Sequence, residues 1–190
     1  LLKAAGHRCD VAYSLPPKYE YYRAIGWRLS QRLQRAVRHW HAHLARRRGY
    51  DAIVIEREVF DNECWDIEAK LRQATGRLIL DIDDGVFLLH PEKTARVAKM
   101  CDVAIGGNRW LTDYLQRHTP QVALIPTCVR LNDYPLRDPS RQRHERPCVG
   151  WIGTTDNVDF LSVAAPALRR IAGSVQFRLM VIAPSNERLT

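Results

Sequence analysis

The chain has 190 residues, 46% hydrophobic and 26% charged, with a formal net charge of +8. Its length suits one full domain, or one domain plus part of a second, and its composition is ordinary for a soluble globular protein. No apolar run reaches the roughly 18 residues that a membrane span needs, and the opening Leu1–Gly6 stretch is too short for a signal peptide. That opening lacks Met and reads as the last turn of a helix, so the true N-terminus is expected upstream. The five cysteines (Cys9, Cys64, Cys101, Cys128, Cys148) are scattered and form no C-x-x-C pair. Neither a zinc site nor a disulfide framework is indicated, and a reducing cytoplasm is the expected setting.

In chain order, Val11–Tyr13 reads as a short strand ended by Pro16 and Pro17. From Tyr19 to Arg48 the pattern is helical. Ile25, Leu29, Leu33, Ala36, Val37, Trp40 and Leu44 recur at steps of three and four and form one stripe. Arg28, Arg32, Arg35, Arg38 and Arg46 are expected on the other side of the helix. They form either a plain solvated face or a basic surface for anionic lipid headgroups. No aromatic-interleaved RNA motif or recognition-helix pattern supports nucleic-acid binding.

Gly49 suits a helix C-cap. Asp51–Glu56 is the next strand and runs out into Glu56-Arg57-Glu58. A helix over Asn62–Thr75 is closed by Gly76. A short apolar run, Arg77–Leu80, then leads directly into Asp81, Asp83, Asp84 and Gly85. In an open parallel sheet, ligands bind beyond the carboxyl ends of the strands, so this acidic cluster points at such a crevice. The plain alternative is that the aspartates only cap a turn.

A helix over Pro91–Met100 with Pro in its first turn follows. Then come a strand Asp102–Gly106, Asn108 as the cap of a helix Arg109–His118, and a strand Gln121–Ile125. Strand and helix alternate throughout, which predicts an α/β fold with a parallel sheet and helices on both faces. Arg130–Pro147 is rich in Arg and Pro and reads as an interdomain linker. Beyond it, a strand Cys148–Ile152, a turn Gly153–Asn157, a helix Val158–Ala172 and a strand Val175–Ile182 open a second domain. The expected organisation is 1–129, a linker 130–147, and 148–190.

The series Tyr50–Glu58, Leu80–Asp84, Cys101–Asn108, Ile125–Thr127 and Val149–Thr154 resembles group 1 glycosyltransferases. These are retaining enzymes of the GT-B architecture, in which two Rossmann-like domains face a cleft. The resemblance covers about Leu1 to Ile182 and implies an acceptor-side first domain and a donor-side second one. It implies hexosyl transfer from a nucleotide-diphosphate sugar to a glycan or lipid-linked acceptor, with no metal and no cofactor. Asp83 and Asp84 stand where relatives carry a His-Asp pair and are the implied catalytic residues, Asp83 ahead of Asp84. Arg57, Glu58, Asp81, Asn108, Gly153 and Thr154 are the implied substrate-binding residues. Where relatives carry Arg and Lys after the Gly of that last turn, this chain has Thr154, Thr155 and Asp156. The family's donor-binding Glu pair is not found up to Thr190, so this fragment alone is expected to be inactive.

Three other readings compete. A metal-binding Asp-x-Asp would hold a divalent cation on a nucleotide diphosphate. An aspartyl-phosphatase would also start from a strand and Asp-x-Asp, but would need Thr or Val where Gly85 stands. A non-enzymatic module would use the arginine stripe to hold lipid or polyanion. The lipid-facing readings place the protein peripherally on the inner face of the plasma membrane.

Overall fold

The computed structural model describes residues 3, 5–18, 20–134 and 146–184. The chain divides into two compact units, Leu1–Val129 and Arg130–Thr190. The 135–145 stretch of the expected linker lies outside the described residues. No helix among the described residues is long and apolar enough to cross a membrane.

In the first unit four parallel strands, β1 (Ile53–Glu56), β2 (Leu78–Ile82), β3 (Val103–Gly106) and β4 (Val122–Leu124), lie side by side in chain order. The register sets Ile55 beside Leu80, Leu80 beside Ala104, and Glu56 beside Asp81. Between them run α2 (Asp66–Gln73), α3 (Pro91–Met100) and α4 (Arg109–Leu115), with α1 (Gly26–Arg48) ahead of β1. This is an α/β fold compatible with a Rossmann-like sheet.

Helices on both faces were the expectation, and the strand order overturns it. Right-handed crossovers between parallel strands laid down in sequence all pass over the same face. Winding onto both faces requires the strand order to reverse, and here it does not. The core follows suit, because side chains alternate between the faces of a strand. Ile55, Leu78, Leu80, Ile82 and Ala104 pack with Val97, Ala98, Leu111 and Leu115 from the helices and with Cys101 just after α3. Val54, Ile79 and Ile105 fall on the other face and outside this cluster, and Val54 is exposed.

The elements begin and end for local reasons. Asn108 caps α4 by accepting from the Leu111 amide at 3.0 Å. Gly106 lets α4 approach the sheet: a Cβ there would lie 2.8 Å from Thr112 Cγ2 and 3.0 Å from the Thr112 backbone nitrogen. The Asn62 side chain accepts from the Cys64 amide at 2.9 Å, forming a turn of its own. That competes with helix, and α2 starts at Asp66 rather than Asn62. The strand expected at Val11–Tyr13 is not formed; residues 7–14 run without pairing, and Arg38 donates to the Ala12 carbonyl at 3.0 Å.

Helix α1 also differs from expectation. It begins at Gly26, whose φ of 73° suits a residue without a Cβ. It is seated by its polar and small residues: Ser30, Gln34, Ala42 and Ala45 are buried. Gln34 donates to the Pro16 and Pro17 carbonyls at 3.0 and 3.2 Å, and the Tyr22 amide donates to Ser30 Oγ at 2.9 Å. These bonds fix the inward face, so Leu29, Leu33 and Trp40 turn outward and are exposed.

The second unit contains β5 (Cys148–Ile152) and β6 (Arg178–Ile182), parallel and in register from Cys148–Arg178 to Ile152–Ile182. A 3-10 turn over Thr155–Phe160 and α5 (Leu161–Ala172) connect them.

Candidate functional site

The carboxyl ends of β1 and β2 converge on one group of charges. Glu56 ends β1, and the next residue, Arg57, takes a left-handed backbone with φ of 58°. That conformation costs about 1–2 kcal/mol for a residue with a Cβ and is held by the Arg57 amide donating to the Asp81 carbonyl at 2.7 Å. The turn aims the guanidinium across the strand ends. Its Nε donates to Asp83 Oδ1 at 2.7 Å and one terminal nitrogen to Asp83 Oδ2 at 3.1 Å. The other lies 3.2 Å from Asp84 Oδ2. A planar guanidinium that meets one carboxylate with two donors fixes orientation as well as charge.

These contacts separate the acids. The Arg57 hydrogen bonds hold the Asp83 carboxyl below the usual carboxylate range. Burial, together with the nearby Asp83 and Glu56 carboxylates, pushes Asp81 upward. Neighbouring acids whose environments drive them apart are the usual basis for dividing proton-donor and anion roles in a site.

Beside the clamp lies an open depression of about 350 Å³, lined by the charged residues Arg57, Glu58, Asp61 and Asp84 together with Gly85, Val86, Leu88, Leu89 and Trp110. Trp110 lies over Gly85, where a Cβ would meet its ring at 2.9 Å, and its ring centroid is 4.8 Å from that of Phe87. Phe87 in turn stacks on Tyr114 at 3.8 Å and 7°. Its lining thus combines charged side chains with apolar and aromatic ones, the two kinds of contact that small-molecule sites draw on.

Glu58 also belongs to a buried ionic network. Lys93 is fully buried, donates to the Phe60 carbonyl, and lies 3.5 Å from Glu68 Oε1 and 3.7 Å from Glu58 Oε2. Lys18 donates to Glu58 Oε1 at 3.3 Å and to its carbonyl at 3.2 Å. Glu68 also accepts from the Val59 amide at 3.0 Å. Nearby, His90 bridges Asp61 at 2.8 Å and Glu63 at 3.0 Å, and Asp61 foremost pushes the His90 imidazole upward. Glu58, Asp61 and His90 have ligand atoms within 4.8 Å of one another, close enough for a metal ion.

Of the residues singled out in the sequence, the fold joins Arg57, Asp83 and Asp84 in one contact and sets Glu58 in the lining of the depression beside them. Asp81 lies on β2 opposite Glu56. Asn108 spends its side-chain oxygen on the cap of α4. Gly153 and Thr154 belong to the second unit; the Gly153 amide donates to the Ile182 carbonyl at 3.1 Å, and a Cβ there would meet the Trp151 ring at 2.6 Å. Sequence reasoning missed Lys93, Glu68, Asp61, His90 and Trp110. His90 and Lys93, three residues apart at the start of α3, share one helix side, which was the available hint. A scan against models of known protein families finds no match to the chain, and a search of curated proteins finds none either.

Proposed function

We propose that the protein is a retaining glycosyltransferase of the GT-B architecture. It moves a hexose from a nucleotide-diphosphate sugar to a glycan or lipid-linked acceptor, without a metal or other cofactor. The observation that carries this reading is the clamp of Arg57 on Asp83 and Asp84 at the carboxyl ends of adjacent parallel strands, where such sheets bind ligands. Asp83, held ionised and oriented, faces the transferred sugar and steadies the positive charge that develops at its anomeric carbon. Asp84 supports it from the same guanidinium. Asp81, beside Glu56 at the strand ends, hydrogen-bonds a sugar hydroxyl, and Glu58 contributes to the charged lining. Asn108 contributes by holding α4 and Trp110 in place. The second unit is assigned as the start of a donor-side Rossmann-like domain, with the Gly153-Thr154 turn at the diphosphate through backbone N–H groups. The five free cysteines fit a cytoplasmic setting.

The test is incubation of the full-length protein with nucleotide-diphosphate hexoses and glycan or lipid-linked acceptors. Nucleoside diphosphate release is followed, and the product anomer is read by NMR. The proposal expects release that depends on acceptor, a product with the donor's configuration, and no loss with a chelator. An inverted product, or no nucleotide-sugar turnover, contradicts it. Loss of activity with chelator moves the reaction to a metal-assisted class, with Glu58, Asp61 and His90 as the cluster to test first.

A further inference from the structure

Helix α1 carries seven arginines and no acidic residue over its 23 positions. At about 100° per residue, Leu29, Leu33, Ala36 and Trp40 fall within an arc of about 60°. Leu29 is 50% exposed, Leu33 40% and Trp40 57%, so this line points away from the first unit. Arg32, then Arg28 and Arg46, border it on one side at about 60–100° from Leu29, and Arg47 continues the line itself. Arg28, Arg32, Arg46 and Arg47 are exposed and make no ion pair among the described residues. The other three are tied down: Arg35 to Asp66 at 2.9 Å, Arg48 to Asp10 at 2.8 Å, and half-buried Arg38 to the Ala12 carbonyl at 3.0 Å. Arg28, Arg32, Arg46 and Arg47 therefore lie on or beside the apolar stripe, while Arg35 and Arg38 face away from it. A solvated helix face has no need for a row of leucines and a tryptophan. A stripe of Leu and Trp bordered by Arg is the make-up of a helix lying in a membrane interface.

We propose that α1 is an interfacial helix that lays the Leu29–Leu33–Trp40 stripe into the headgroup region of an anionic bilayer while its bordering arginines meet lipid phosphates. The charge complementarity selects the occupant: four exposed arginines without acidic neighbours on their helix repel a basic partner and attract an anionic one. The apolar row selects a bilayer over a nucleic acid, which would engage the arginines and leave the leucines in water. At 1.5 Å per residue, the stripe from Leu29 to Arg47 is about 27 Å long, enough to anchor the helix flat. This inference stands whether or not the crevice at β1 and β2 transfers a sugar.

Co-sedimentation with lipid vesicles tests it. The chain should pellet with mixed phosphatidylcholine–phosphatidylglycerol vesicles and far less with phosphatidylcholine alone, and binding should weaken as salt shortens the screening length. Tryptophan emission should shift to the blue on binding, and Trp40→Phe should remove that shift. The double change Arg28→Gln and Arg32→Gln should lower partitioning about thirty-fold, since each arginine near an anionic surface is worth about 1 kcal/mol and about 1.4 kcal/mol is tenfold. Leu33→Gln should lower it about tenfold with an unchanged melt, because the side chain is already exposed. Equal pelleting with neutral vesicles, no pelleting, or a Leu33→Gln chain that binds normally each overturns the proposal. Sedimentation velocity adds one more arm: a dimer that Leu33→Gln dissociates would assign the stripe to a second copy and likewise overturn it.

Discussion

Lys93 is the most demanding test of how the crevice wall is built. Its ammonium is fully buried between Glu58 and Glu68, and it holds the Phe60 carbonyl as well. Lys93→Met replaces the side chain with one of similar length and removes the charge. Glu68, itself fully buried, then loses its only cation within 4 Å among the described residues, while Glu58 keeps Lys18. Breaking a buried ion pair from one side costs about 3–5 kcal/mol, a fall of about 10–20 °C in melting temperature for a unit of this size. Adding Glu68→Gln removes the stranded charge and should recover a large part of that loss, although the Val59 amide still needs its acceptor. Thermal melts of the two single changes and the double change form a cycle that isolates the coupling. A Lys93→Met chain that melts within about 2 °C of the parent would refute the reasoning, since such a small shift is well under the cost of an unpaired buried charge.

Gly106→Ala should cost about 1–3 kcal/mol, because its Cβ would press on the Thr112 backbone as well as its side chain; a melt equal to the parent's would remove close approach as the reason for this glycine. His90→Gln should destabilise the chain at pH 6 and hardly at all at pH 9. The folded His90 value is raised, so its contribution is complete below about 6.5, the unfolded value, and disappears as pH rises through the folded one. Asp61 and Glu63 are largely exposed, which limits the gap to about 1 kcal/mol, and an identical gap at both pH values would contradict the bridge. Burial pushes the Cys101 thiol up to about 12, so alkylation at pH 8 should label the exposed Cys128 and Cys148 and reach Cys101 only on unfolding.

Much of the sheet could be read from the sequence. The strand expected over Arg77–Leu80 forms over Leu78–Ile82, so that Asp81 lies within it and only Asp83 and Asp84 follow its end, and α3 starts at Pro91 as expected. Neither the one-sided helix layer nor the ionic network could be read there. The first depends on strand order, which local periodicity does not encode. The second joins Lys18, Glu58, Glu68 and Lys93 across turns and helices, and no spacing rule connects them. The turn at Arg57 was also hidden, because nothing about an arginine announces a left-handed backbone. Helix α1 shows the limit of the periodic argument itself. Its stripe was visible, but which face turns inward was decided by Gln34 and Ser30 finding backbone partners at 16–22.

The clamp at the strand ends is tested most directly by the turnover of Asp83→Asn in the full-length protein, measured beside its thermal melt. Asn keeps one acceptor for Arg57 and loses the charge. The Asp83 value is depressed in the folded chain, so its contribution to stability is present above about 3.9 and fades as pH falls through the folded value. The pair is partly exposed, which holds that contribution to about 1 kcal/mol or less at neutral pH. Loss of a preorganised group that acts on transition-state charge costs about 10²–10³ in rate, and it appears in kcat with KM little changed. The account therefore predicts a fall in sugar transfer of that order with a melt lowered by only a few degrees. Near-normal turnover with an unchanged melt would contradict it and leave Asp83 as a turn residue held by Arg57.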